Sequence, residues 1–237
     1  MQLMYSLRVL LTGTLLFTSG LLLANAPSSA IGQAFSLETG DLVYTEKHIK
    51  LDRAQHQVMY SEPDGTEFAR KQIDFSRSLI RPSFQQLNDR NGEAIEVKQV
   101  GETFLVKYRK QNGSEAKEDT IADKPNMVID AGFDAFVRQY WQPLISGKTM
   151  DIEYLVPSKH TTFSFRFQQA DCLADTSPSV VCFTLSPVSW LVKMAVDPIV
   201  VAYDSSTQRL LRFTGRANIS NAAGKYQSVD IRYQYND

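Results

Sequence analysis

Apolar and polar residues alternate along much of the chain. In residues 161–168, Phe163, Phe165 and Phe167 fall on one side and Thr162, Ser164, Arg166 and Gln168 on the other. That period of two belongs to a strand with one buried and one wetted face. Similar short runs predict strands over 42–51, 55–61, 67–76, 81–87, 94–100, 103–110, 150–156, 198–203, 208–219 and 225–235. Turn residues separate them: Pro63-Asp64-Gly65, Asn88 to Gly92, Gly101-Glu102, Gln111 to Ser114, Asp204 to Thr207 and Asn221 to Gly224. Gly first in the two-residue Gly101-Glu102 link suits a type II′ hairpin. This spacing predicts a mainly β protein: a large curved antiparallel sheet, a half-barrel or open barrel, packed on one amphipathic helix.

The helix is expected over 130–146. Phe133, Phe136, Val137, Tyr140, Trp141 and Leu144 fall on one face at helical spacing. Asp130 is the expected N-cap, Gly147 the stop, and Pro143 the point of a kink or end. Phe133, Phe136, Tyr140 and Trp141 are both core formers and candidates to line an apolar ligand cavity between helix and sheet, with Tyr44 as a further lining candidate. Residues 190–195 read as a short helix or an irregular connection, and 116–125 as a linker-like approach to the main helix.

The first 30 residues change the picture. Arg8 is the lone charge before Glu38, a mostly apolar run covers 9–23, and small residues follow at Ala24, Ala26, Ala30 and Ala34. That order is the secretory pattern. A signal peptide is therefore expected over 1–30, with Ala26, Ala30 and Ala34 as cleavage candidates, Ala30 or Ala34 preferred because Pro27 follows Ala26. The apolar run is shorter than the ~20 residues of a spanning helix, and no later run reaches that length. Residues 31–237 then form a single β-rich domain, periplasmic or secreted. Cys172 and Cys182 lie ten apart, which an oxidising compartment would keep as a structural disulfide. Closing so short a loop is worth about 2–3 kcal/mol in the chain-entropy view.

Composition narrows the chemistry. With 25 basic and 26 acidic side chains the net charge is −1, which offers no basic excess for a phosphate backbone and argues against nucleic acid as a partner. Nucleophile elbows, zinc-protease motifs, phosphate-binding loops and dinucleotide fingerprints are missing, so no cofactor and no metal are expected. The small constellation Tyr44, Glu46, His48 shares one strand face. A carboxylate beside an imidazole is the beginning of an acid–base pair, which makes Glu46 and His48 the weak catalytic candidates; a polar patch on the sheet is the plainer reading. Arg77 and Arg81 bracket Leu79-Ile80 and offer cations to an anionic ligand.

The segment Asn126 to Asp134 with Phe136-Val137-Arg138 and Trp141 resembles a family of exported bacterial proteins of unknown function. Tyr44-x-Glu46-x-His48 and Leu211-x-x-x-Gly215-x-x-Asn218-Ile219 look like the same family. The resemblance implies a β-rich exported domain and transfers no catalytic role. More remotely, a curved sheet wrapped on a helix resembles the periplasmic lipoprotein-carrier (LolA/LolB-like) fold, a likeness of architecture alone. The leading expectation is an exported protein that binds an apolar or amphipathic ligand, such as a lipid, or serves envelope maintenance with an envelope protein as partner. The alternatives are a hydrolase-like enzyme using Glu46 and His48, and a small outer-membrane β-barrel.

Overall fold

The computed structural model describes residues 29–173, 179–194 and 198–236. Fifteen strands form one sheet: β1 Ser29–Ser36, β2 Leu42–Lys50, β3 Gln55–Ser61, β4 Glu67–Asp74, β5 Ser83–Asn88, β6 Glu93–Val100, β7 Thr103–Arg109, β8 Lys117–Ala122, β9 Met127–Val128, β10 Met150–Val156, β11 Thr161–Ala170, β12 Val180–Pro187, β13 Ile199–Asp204, β14 Leu210–Ser220 and β15 Tyr226–Asn236. Their spatial order is β8 through β1, then β15 back through β9. Two meanders therefore meet at the β1–β15 pair. An N-terminal half (β1–β8) and a C-terminal half (β9–β15) share one antiparallel sheet, except that the short β9 runs parallel to β10. The expected mainly β, curved, open architecture is what forms.

Three departures from the sequence expectation have physical causes. Residues 29 and 30, at the end of the expected leader, and 31–36, for which no element is expected, form β1, because the same small residues suit a signal junction and a crowded strand. Residues 117–122, within the linker-like stretch, are the edge strand β8 on β7; its charges face solvent, as edge strands require. Strand β12 carries the unbroken apolar run Val180 to Phe183, which hides period-two alternation.

The helix is also corrected. It is two short helices, α1 Gly132–Gln139 and α2 Trp141–Ile145, broken at Tyr140. Pro143 sits in the first turn of α2, where its missing N–H costs no helical bond, so the break precedes it. Asp130 is not the cap. It lies at φ 44° ahead of the Ala131 N-cap position, and its carboxylate accepts instead from Lys71 and from the Ala131 N–H. Gly147, at φ 87°, ends the segment as expected. A third helix, α3 Trp190–Lys193, follows β12.

Two cores fill the concave side. The N-terminal core gathers Tyr44, Tyr60, Phe68, Phe84, Val97, Phe104 and Val106 with Ala217, Ile219 and Val229 from the other meander. The C-terminal core packs Phe136, Val137, Trp141 and Leu144 against Ile152, Phe167, Phe183, Val201 and Tyr203. Polar ties close the N-terminal half: Gln86 Nε2 donates to Asn218 O at 3.2 Å, and Asn88 Nδ2 to Ser220 O at 2.8 Å. His160, left-handed at φ 49° after a 3₁₀ turn at Pro157–Lys159, sets its ring edge-on to Tyr108 at 6.4 Å.

Candidate functional site

The expected face of Tyr44, Glu46 and His48 exists, and β1 explains what it meets. Register pairs Ala34, Gly32 and Ala30 of β1 with Tyr44, Glu46 and His48 of β2, and with Ile231, Tyr233 and Tyr235 of β15. The inward side of β1 is thus nearly bare, and the larger side chains of its two neighbours meet over it. The Tyr233 hydroxyl donates to Glu46 Oε1 at 2.6 Å, and His48 Nε2 lies 3.0 Å from the same oxygen. A Cβ on Gly32 would come within 2.9 Å of the Glu46 Cγ, Ile231 Cγ2 and Tyr233 Cε1 atoms. The glycine is needed for close approach rather than for backbone freedom.

Burial pushes the Glu46 carboxyl up, but hydrogen bonds from His48 and Tyr233 and the His48 and Lys71 charges outweigh it, leaving its pKa below the ordinary value. Burial and the Glu46 carboxylate raise Tyr233 well above an ordinary phenol. Nearby, Lys71 is 1% exposed; its Nζ donates to both Asp130 oxygens at 2.7 Å. The Tyr44 hydroxyl is buried without a protein hydrogen-bond partner, and burial followed by the Glu46 charge raises it too. A second buried carboxylate, Glu93, accepts from Tyr108, Tyr226 and Ser220. Burial and that carboxylate hold Tyr108 up to about 12. No local pattern marks the Glu93 cluster, whose members lie on β6, β7, β14 and β15.

The ligand-lining candidates do not converge. Tyr44 packs edge-on against Tyr60 and Phe68 in the N-terminal core. In the C-terminal core Phe133 meets Phe167 at 5.2 Å, Phe136 meets Tyr140 at 5.0 Å, and Trp141 meets Phe183 at 5.7 Å. These are the offset and edge-to-face contacts of packed aromatic cores.

Open volume lies elsewhere. A groove of about 490 Å³ runs over the outer face of β4–β7. Cross-strand register lines up Arg70, Leu87, Ala94 and Arg109 in one row, and Gln72, Gln85, Glu96 and Lys107 in the next. Leu87, 45% exposed, is an apolar floor between two guanidinium groups. Arg70 is held by Glu67, Lys107 by Glu118, and Arg109 Nε donates to the Gly92 carbonyl. Period two predicted the wet side of these strands, but only the cross-strand register brings these side chains together in rows.

Cys172 and Cys182 form the expected disulfide, tying the segment after β11 to β12. Arg81 pairs with Asp123, whereas Arg77 reaches the Gln99 carbonyl. No helix among the described residues is long and apolar enough to cross a membrane.

No protein-family profile and no curated protein matches the chain. Among solved structures it is similar to a beta-barrel-like protein of a domain of unknown function, DUF1849, from Brucella abortus. Identity is 9%, coverage is 90% of this chain and 96% of that one, and the TM-score is 0.49.

Proposed function

We propose that the protein is an exported, non-catalytic binding protein of the cell envelope that holds an anionic amphipathic ligand, of the lipid class, in the groove on the outer face of β4–β7. The observation that carries this reading is the row Arg70, Leu87, Ala94, Arg109: an apolar floor flanked by two guanidinium groups, which match carboxylate or phosphate geometry. The leader-like start and the disulfide support export into an oxidising compartment. Cleavage after Ala26 leaves β1 whole, whereas cleavage after Ala34 removes most of a strand that binds both halves together. The mature chain therefore begins at or before Ser29. The likeness to lipoprotein carriers adds only that a curved sheet on helices is compatible with such a task.

The enzyme reading is weaker. The Glu46–His48 contact is present, but a carboxyl held below its ordinary pKa is a poor general acid and a weak base at neutral pH. Its three-way contact with His48 and Tyr233 reads as a tie across the seam. The outer-membrane barrel reading conflicts with the outward faces of β4–β7, where Arg70, Gln72, Gln85, Lys98 and Lys107 stand in place of an apolar band.

The test is native mass spectrometry of the purified mature chain exposed to envelope lipid extract. Retained anionic lipid, lost in Arg70→Gln/Arg109→Gln and in Leu87→Asp, is the expected result. Retention unchanged in these variants, or no retention by the parent, overturns the reading.

A further inference from the structure

Exposed aliphatic side chains stand at three neighbouring loop tips. Leu51 (60% exposed) lies between β2 and β3, Leu79 (60%) between β4 and β5, and Val100 (51%) where β6 turns into β7. In an antiparallel meander these three connections emerge at the same end of the sheet. They also touch. The Phe75 N–H donates to the Ala54 carbonyl at 2.8 Å, Phe75 stacks edge-on to His56 at 4.7 Å, and Arg77 Nη1 donates to Gln99 O at 3.3 Å. The end is therefore one surface and not three independent fingers.

Each tip carries an exposed cation within two residues of its aliphatic side chain: Lys50 and Arg53 beside Leu51, Arg77 beside Leu79, Lys98 beside Val100. Arg81, in the same loop as Leu79, and Arg70 and Lys107 along the strands are paired with carboxylates; among the described residues no salt bridge takes up these four. Two carboxylates of the loops are turned back onto their own backbone. Asp52 Oδ1 accepts from the Ala54 and Gln55 N–H groups at 2.7 Å, and Asp74 Oδ1 from the Ser76 N–H at 2.8 Å. Asp52 and Glu102 are exposed, so the four cations of this end stand against three carboxylates, two of which are engaged with their own backbone. Aliphatic tips flanked by cations are what a protein needs to rest on an anionic bilayer: the apolar side chains enter the headgroup boundary and the cations stay with the lipid phosphates.

We propose that this end of the N-terminal half docks on the surface of an anionic lipid bilayer through Leu51, Leu79 and Val100, with Lys50, Arg53, Arg77 and Lys98 as the electrostatic contacts. The surface is separate from the groove on the outer face of β4–β7, and it stands whether or not that groove holds a ligand. If both hold, the groove strands rise directly from the docked end.

The experiment is co-sedimentation of the full mature chain with vesicles of phosphatidylethanolamine and phosphatidylglycerol, against vesicles of phosphatidylcholine alone. The parent is expected to sediment with the anionic vesicles and to be released by salt. Leu51→Ser/Leu79→Ser/Val100→Ser and Arg53→Gln/Arg77→Gln/Lys98→Gln should each weaken binding about tenfold or more. These are exposed positions, and circular dichroism with thermal melting checks that each variant folds. Arg70→Gln/Arg109→Gln should bind vesicles like the parent even where it loses retained lipid, so failure of the groove reading and failure of docking are distinguishable. Failure of the parent to sediment overturns the proposal. So does binding that survives both loop variants, including binding that Trp190→Ser/Leu191→Ser abolishes, which would place the contact at the exposed apolar α3 segment.

Discussion

The two halves of the sheet fill their concave sides by different means. The C-terminal half is closed by rings: Trp141 and Phe136 from the short helices stack on Phe167, Phe183 and Tyr203. The N-terminal half places charges inside, with Glu46, Lys71 and Glu93 almost fully buried and each hydrogen-bonded. Aromatic packing tolerates no loss of volume, whereas buried charges tolerate no loss of a partner. One topology thus supports two kinds of fragility. The half that hides its charges is also the half whose outer face carries the groove.

Removing a ring should give the largest effect. Phe183→Ala, at a 0% exposed position between Trp141 and Phe167, is expected to cost about 4 kcal/mol in urea unfolding. No second substitution of comparable polarity should restore it. Asp130→Asn strands the Lys71 ammonium inside the N-terminal half and should cost about 3 kcal/mol. There the contrast sharpens, because Lys71→Met added to Asp130→Asn should recover most of the loss. If the double variant is no better than the single one, the buried pair is not what makes the halves differ.

The seams come next. Cys172→Ser/Cys182→Ser should lower stability by about 2–3 kcal/mol, read by thermal unfolding under non-reducing conditions. Gly132→Ala would set a Cβ 2.0 Å from the Ile80 carbonyl oxygen, where α1 meets the β4–β5 loop. A backbone atom cannot swing aside as a side chain can, so about 1–3 kcal/mol is expected. The smallest effect is a pH slope. The Glu46 pKa is lowered on folding, so its stabilisation is complete above the ordinary glutamate range and fades as pH falls through the folded pKa. Urea unfolding followed from about pH 6 to about pH 3 should show that loss, and Glu46→Gln should flatten it. A steeper slope in the variant would mean that Glu46 is not the group responsible.

Much of this fold is legible in the alternation of residues. Strands β3 and β10 fall where period two places them, and the Phe163, Phe165, Phe167 face of β11 turns inward, with Phe167 fully buried. Tyr44, Glu46 and His48 share a face because alternate residues on a strand must. Their partner Tyr233 lies 187 positions from Glu46, beyond the reach of any local pattern. The strand at Ala30, Gly32 and Ala34 was not legible for a definite reason: small residues at alternate positions satisfy a signal peptidase and also a strand that must leave room for its neighbours' side chains. Likewise the aromatic face at 133–144 predicted an apolar seat for the helix, yet nothing in its spacing showed that Phe167, Phe183 and Tyr203 would fill the facing space.

By itself the sequence determined most of the strands, the turns between them, the disulfide and the wet or buried side of those strands, because these depend on neighbours a few residues apart. The tertiary structure decided that β1 pairs with β15, which leaves a bare strand across which Glu46 and Tyr233 meet, and the register of the N-terminal meander sets the wet side chains of β4–β7 in rows and brings Leu51, Leu79 and Val100 to one end. Such features require contacts between distant segments, and the physical pattern of a single segment carries no record of its partner.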